Sequence, residues 1–197
     1  EDVQYFEDEL HAAVMAAEDA GTYVMVHVYV PEAIRRAIRA GVKSIEHGQL
    51  IDEPTMKLIA EKGVWLSMQP FIGEGNNHYT NPVQQAKHEL VVQGTDRAYQ
   101  LAKKYGGKLA WGTDLLFSPA NARNQNLNIE KMTRWFSNFE ILKMITHDNA
   151  ELLALSGRRN PYPGKLGVIE EGALADLIVV DGNALEDIKV LTDPGKN

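Results

Sequence analysis

Four times within the first 114 residues, a helical stretch closed by glycine is followed at once by a short run rich in Val, Ile, Tyr or Trp. Residues 7–20 place Leu10, Val14 and Ala17 at helical spacing and stop at Gly21, ahead of TYVMVHVYV. Pro31 opens PEAIRRAIRA, which stops at Gly41 ahead of VKSIEHG. DEPTMKLIAEKG, with Asp52 as its cap and Pro54 in its first turn, leads into VWLSMQP. A fourth helix across 83–105 ends at Gly106-Gly107 and leads into KLAWGTD. The predicted strands cover 23–29, 44–48, 64–69 and 108–114. Short apolar runs of this kind read as buried strands, and strands alternating with helices pair in parallel with the helices packed outside.

Two segments interrupt the alternation. FIGEGNNHYTNP (71–82) is rich in Gly, Asn and Pro and predicts a long loop; 115–128 predicts a second, ahead of helices at about 129–145 and 147–156. The tail differs in kind. GKLGVIEEGALADLIVVDGNALEDI has short apolar runs punctuated by Gly and no helical spacing, which predicts a small β appendage. The expected division is therefore 1–163 and 164–197.

Composition excludes several classes of function. A hydrophobic fraction of 44% and a charged fraction of 24% belong to a folded globular chain. A net charge of -7, with Lys and Arg scattered, argues against a nucleic-acid or anionic-membrane surface. No stretch approaches the roughly 20 apolar residues of a membrane span. The absence of cysteine removes disulfides, thiolate metal sites and cysteine nucleophiles together. Any metal would then be held by His, Asp, Glu or a modified Lys. The chain starts at Glu1 without a basic-then-apolar leader, so it is expected to begin inside a longer gene product, and its compartment is not assigned.

Three residues carry the chemistry. His27 lies toward the end of the first predicted strand, His47 at the end of the second and Asp114 at the end of the fourth. In a parallel sheet the C-terminal strand ends share one face, where active sites are built. Taken singly, a strand histidine is ordinarily a hydrogen-bonded core or surface residue, and an Asp after Gly-Thr is ordinarily a turn or cap. Taken together, two imidazoles and a carboxylate at equivalent strand ends suit zinc or a similar divalent ion. Their side-chain heads are expected within roughly 4–7 Å of one another.

The ordered run HVY, SIEHG, WGTD, THDNAELLAL and GVIEEGALADLIVVDGNALEDI resembles the amidohydrolase superfamily, in its imidazolonepropionase-like and Xaa-Pro dipeptidase-like branch. The resemblance covers essentially the whole chain. It implies strands five to eight of a (β/α)8 TIM-type barrel, an α/β fold, plus part of a small β-sandwich. It implies that His27 is the strand-five ligand, His47 the strand-six ligand, and Asp114 the strand-eight residue that binds metal and takes a proton from the attacking water. The activity implied is hydrolysis of an amide, in a dipeptide or N-acyl amino acid type of substrate, with two ions in the complete site. Substrate contacts are expected from His78, Tyr79, Phe117 and Asn121, in the loops after strands seven and eight.

The sequence departs from the family pattern in one respect. The strand-one HxH pair and the bridging strand-four Lys are not in it. A catalytically silent metal-binding fragment is therefore the competing reading. Glu46, next to a ligand, is expected to point away from the site, with a supporting role. His11 and His88 are expected on exposed helix faces, and His147 in a structural helix position. Half a barrel would also leave an inner face bearing Met25, Ile45 and Met68, or their neighbours, open to solvent. Association with another copy, or with a missing N-terminal half, is expected to cover it.

Overall fold

The computed structural model describes residues 3–73, 79–115, 122–193 and 195. Its centre is a four-stranded parallel sheet in the order β1 (Met25–Val28), β2 (Ser44–His47), β3 (Trp65–Met68) and β4 (Lys108–Trp111). Helix α1 (Glu7–Asp19) precedes β1, and α2 (Pro31–Arg39), α3 (Glu53–Lys62) and α4 (Pro82–Tyr105) cross from each strand to the next. The alternation read from the sequence is thus the fold. Local chemistry sets the helix starts: the Asp52 carboxylate accepts the Thr55 backbone N–H at 2.9 Å, and Asn81 caps α4 through Val83 and Gln84.

Register fixes which side chains share a face. Val26, Ile45, Leu66 and Leu109 lie abreast across the four strands. They are packed against Val14 of α1, Ile34 and Ile38 of α2, Met56 and Ile59 of α3, and Ala98, Tyr99 and Ala102 of α4. Each fully buried aliphatic side chain here contributes roughly 1.5–3 kcal/mol. The opposite face carries His27, Glu46, Ser67 and Ala110 abreast, with Met25, Ser44, Trp65 and Lys108 one level below. Part of it is covered by Leu152, Leu155 and Tyr23, which pack on Trp65 and Ala110.

That register corrects the expected composition of the open face. Ile45 and Met68 are wholly buried on the helix-packed side, and of the three residues named only Met25, 51% exposed, stands open. The face is mixed in polarity because alternation along each strand sends the branched residues outward to the helices.

Three further boundaries differ from the sequence reading. The strands are four residues each, and β4 stops at Trp111, so Asp114 lies three residues beyond its strand. The C-terminal helical region is broken into α5 (Leu127–Lys131), α6 (Asn138–Lys143) and α7 (Asn149–Ala154), with a π-helical turn at Met144–Asp148 joining the last two. In the tail, the described residues form no strand, and the sole pairing is an isolated bridge between Lys165 and Ala173. Leu177, Ile178 and Val179 are exposed, the last at 91%. A strand needs a partner's hydrogen bonds, and the described residues offer these runs none.

Candidate active site

β1 and β2 are neighbours, with His27 opposite Glu46 and Val28 opposite His47. Strict alternation would send His47 to the helix-packed face with Val28. Its backbone instead takes φ 79°, a left-handed conformation, and its ring lies against His27 and Tyr29. His27 Nδ1 is 2.7 Å from His47 Nε2, and the Tyr29 ring stacks parallel on the His47 ring at 4.6 Å. His27 is exposed, whereas His47 is only 3% exposed.

The turn after His47 depends on a residue without a side chain. Gly48 has φ 71°, and a Cβ there would come within 2.6 Å of Leu66 Cδ1. Helix α4 presses on the next two residues: a Cβ on Gly94 would meet the Gln49 carbonyl oxygen at 2.3 Å. The loop carrying His47 is thus clamped between β3 and α4.

His47 and Asp114 are the two non-glycine residues with positive φ among the described residues, Asp114 at 50°. Such conformations are costly, of order 1–3 kcal/mol each, and cluster at functional sites; His and Asp are among the side chains that tolerate them best. Asp114 is exposed, beyond the end of β4 on the same sheet edge as His47, and is hydrogen-bonded to neither histidine among the described residues. The structure thus brings His27 and His47 into contact and leaves Asp114 outside that pair.

The remaining residues singled out by sequence fall as follows. His78, Phe117 and Asn121 lie outside the described residues. Tyr79 is 45% exposed, and its ring tilts against His88 at 5.4 Å. His88 is therefore half-buried rather than exposed. Glu46 shares the His27 face by register and accepts the Ser44 hydroxyl at 2.7 Å, so it does not point away. It also helps hold the Tyr23 phenol above its ordinary pKa, behind the larger effect of burial. His11 is exposed, with Nδ1 3.4 Å from the Ala40 carbonyl oxygen.

The three-ligand cluster that the described residues do assemble is a different one. His147, Asp148 and Glu151, on the π turn and the start of α7, bring ligand atoms within 4.8 Å of one another. Lys143 already pairs with Asp148 there, so a cation would have to displace it. A cavity of about 370 Å³ lies nearby, lined by Trp65, Lys108, Asp148 and Glu151. It sits at the N-terminal ends of β3 and β4, away from the edge where parallel sheets place their sites.

Three site residues escaped the sequence reading: Tyr29, Gln49 and Gln69. Tyr29 follows His27 by two positions, the spacing of one strand face, which was a usable signal. Gln69 directly follows β3, is almost fully buried, and places its side-chain Oε1 2.8 Å from His47 Nδ1. Gln49 donates to the same oxygen at 3.3 Å.

The pair fits a small divalent cation. Two zinc–imidazole bonds of about 2.0–2.1 Å at a tetrahedral angle hold their nitrogens about 3.3 Å apart, so the facing nitrogens need separate only by about half an ångström.

The paired histidines thus stand at the C-terminal ends of parallel strands, the end of such a sheet where sites are built. The sequence pattern of the amidohydrolase family matches residues 1–196, and the chain belongs to that family. It is 32% identical to the ochratoxinase of Aspergillus niger over 195 residues, covering 97% of this chain and 39% of that protein. It is similar to a prolidase solved with N-methylphosphonate-L-proline, at 38% identity and a TM-score of 0.84, covering 98% of this chain and 46% of that one. It is also similar to a Xaa-Pro dipeptidase with methionine bound in its active site, at 32% identity and a TM-score of 0.81, covering 96% and 46%. The chain spans less than half the length of these relatives.

Proposed function

We propose that this chain supplies strands five to eight of an amidohydrolase barrel, with residues 164–197 contributing to a β-sandwich, and carries part of a hydrolytic centre that cleaves an amide bond. The observation that carries the reading is the 2.7 Å approach of His27 Nδ1 to His47 Nε2 from adjacent strand ends. His27 and His47 hold a divalent cation such as zinc, one of two ions in the complete site, and Asp114 stands at the exposed strand edge as the further ligand and general base. A bound cation lowers the pKa of water and polarises the scissile carbonyl. Asp114 takes the proton from the attacking water and returns it to the leaving amine, which requires only hydrogen-bond reach. Tyr29, stacked on His47, restricts the imidazole to one ring plane.

The substrate class we favour is a dipeptide or N-acyl amino acid. The support is similarity to proteins named as a prolidase, a Xaa-Pro dipeptidase and an ochratoxinase. Tyr79, together with His78 and Phe117 outside the described residues, would contact it. The open sheet face would be covered by a second copy or by further polypeptide. One observation favours a second reading, a metal-binding piece without turnover of its own: the sequence has no HxH pair.

Zinc content and hydrolysis of a Xaa-Pro dipeptide panel, measured on the 197-residue chain, test both. Zinc uptake that His27→Ala or His47→Ala abolishes supports the metal site, and unchanged stoichiometry in both variants would sink it. Hydrolysis that Asp114→Asn lowers about 10²- to 10⁴-fold supports the base assignment. Zinc uptake without hydrolysis supports the silent reading.

A further inference from the structure

We propose that Gln69 is the positioning residue of His47: its buried amide oxygen takes the imidazole Nδ1–H and thereby leaves Nε2 as the unprotonated nitrogen facing His27. A neutral imidazole carries one proton, and the partner of one nitrogen decides what the other can do. Gln69 Oε1 lies 2.8 Å from His47 Nδ1, and Gln69 is only 4% exposed. Water therefore does not compete freely for that contact.

The orientation of the Gln69 amide follows from its second neighbour. Gln49 Nε2 donates to the same Gln69 oxygen at 3.3 Å, so both lone pairs of that oxygen are used. This arrangement leaves Gln49 Oε1 as a buried atom without a partner. Turning both amides over would preserve the contacts but bury an unpartnered Gln49 NH2 in its place. Buried N–H groups without partners are rarer than buried carbonyls short of one, which favours the oxygen toward His47. The backbone holds the two glutamines in position. Gly94 allows α4 to press on the Gln49 carbonyl, and Gln69 directly follows the last residue of β3.

The consequence for chemistry rests on the function proposed above. A histidine ligates a metal through an unprotonated nitrogen, and a fixed acceptor on the other nitrogen sets both tautomer and ring direction. Gln69 does this with a neutral oxygen and adds no charge to the site. The second nitrogen of the pair is compatible: His27 Nδ1 lies 2.7 Å from His47 Nε2, and with Nε2 unprotonated the proton of that contact would be the one on His27 Nδ1.

The experiment is long-range ¹H–¹⁵N correlation of the histidine rings in the 197-residue chain, metal-free and at a pH where His47 is neutral, joined to a zinc titration. The wild type is expected to show His47 in the Nδ1–H form. Gln69→Met keeps length and burial but removes the acceptor, and is expected to move His47 toward the Nε2–H form and weaken zinc binding about 10- to 100-fold. Gln69→Glu keeps an oxygen at the same place and is expected to restore the Nδ1–H form. An Nε2–H form in the wild type, or an unchanged Nδ1–H form in Gln69→Met, would overturn the assignment. Should Gln69→Met fail to fold, the wild-type tautomer and Gln69→Glu decide the matter. An Nδ1–H wild type that takes up no zinc would uphold Gln69 and overturn the metal reading instead.

Discussion

The side-chain amide of Asn149 is bonded to both backbone polar groups of Trp111, accepting its N–H at 2.8 Å and donating to its carbonyl at 3.1 Å. Gly112 donates to Met68 across the β3–β4 ladder, so the Trp111 groups face the other way, toward the free edge of the sheet. Among the described residues no strand pairs with β4 on that side, and the one amide takes the place of a single ladder rung. It also anchors the chain three residues before Asp114.

Asn149→Ala should cost about 1–3 kcal/mol, the usual consequence of stranding partly buried backbone groups. The expected result is a lower urea midpoint together with faster hydrogen exchange at the Trp111 amide. Asn149→Asp keeps the acceptor but sets a carboxylate against the Trp111 carbonyl, and should not recover the loss. A midpoint and exchange rate unchanged in Asn149→Ala would show that water serves the edge equally well.

The acid limb of stability should depend on Asp96. Arg134 grips its carboxylate side-on, with Nε and Nη2 each 2.7 Å from an oxygen, and the Trp135 indole N–H donates at 2.7 Å. The Arg134 bond first, helped by Trp135 and opposed by burial, holds the carboxyl below its ordinary value of 3.8. A carboxyl whose folded pKa is depressed stabilises fully above its unfolded pKa, and that contribution is lost as pH falls through the folded value. Urea midpoints between about pH 5 and pH 2 should therefore fall more steeply for the wild type than for Asp96→Asn, the two converging at the acid end. Parallel curves would remove Asp96 from the acid transition.

How much of this could be read from the sequence varies with the physics at each place. The four strands and their helices were legible because glycine stops and apolar runs repeat in phase, as at Gly63 before VWLSM. The facing of those strands was not. A parallel strand covered on both sides is apolar throughout, so Ile45 and Trp65 look alike although they pack on opposite faces. His27 and His47 were legible as strand-end residues. The contact between them depends on the left-handed turn at His47, which its neighbour Gly48 only hints at. Gln69 was invisible, since one glutamine after a strand has no periodicity, and its role arises from a tertiary contact 22 residues away in sequence. In the tail, the apolar pattern predicted β structure, but the described residues form no strand there, and a pattern cannot supply the partner that a ladder requires.

That bare run at Leu177–Val180 bears on how the chain behaves in a test tube. Aliphatic and mostly exposed, it has the composition of a segment that stacks with copies of itself. Asp176 and Asp181 stand at its two ends, where like charges act as gatekeepers against intermolecular cross-β growth. Replacing both with Asn at neutral pH should raise light scattering and thioflavin fluorescence over hours in concentrated solution. Scattering equal to that of the parent would show that the two charges give no such protection. On that expectation, two aspartates outside the buried core bear on the concentration at which this polypeptide stays dispersed.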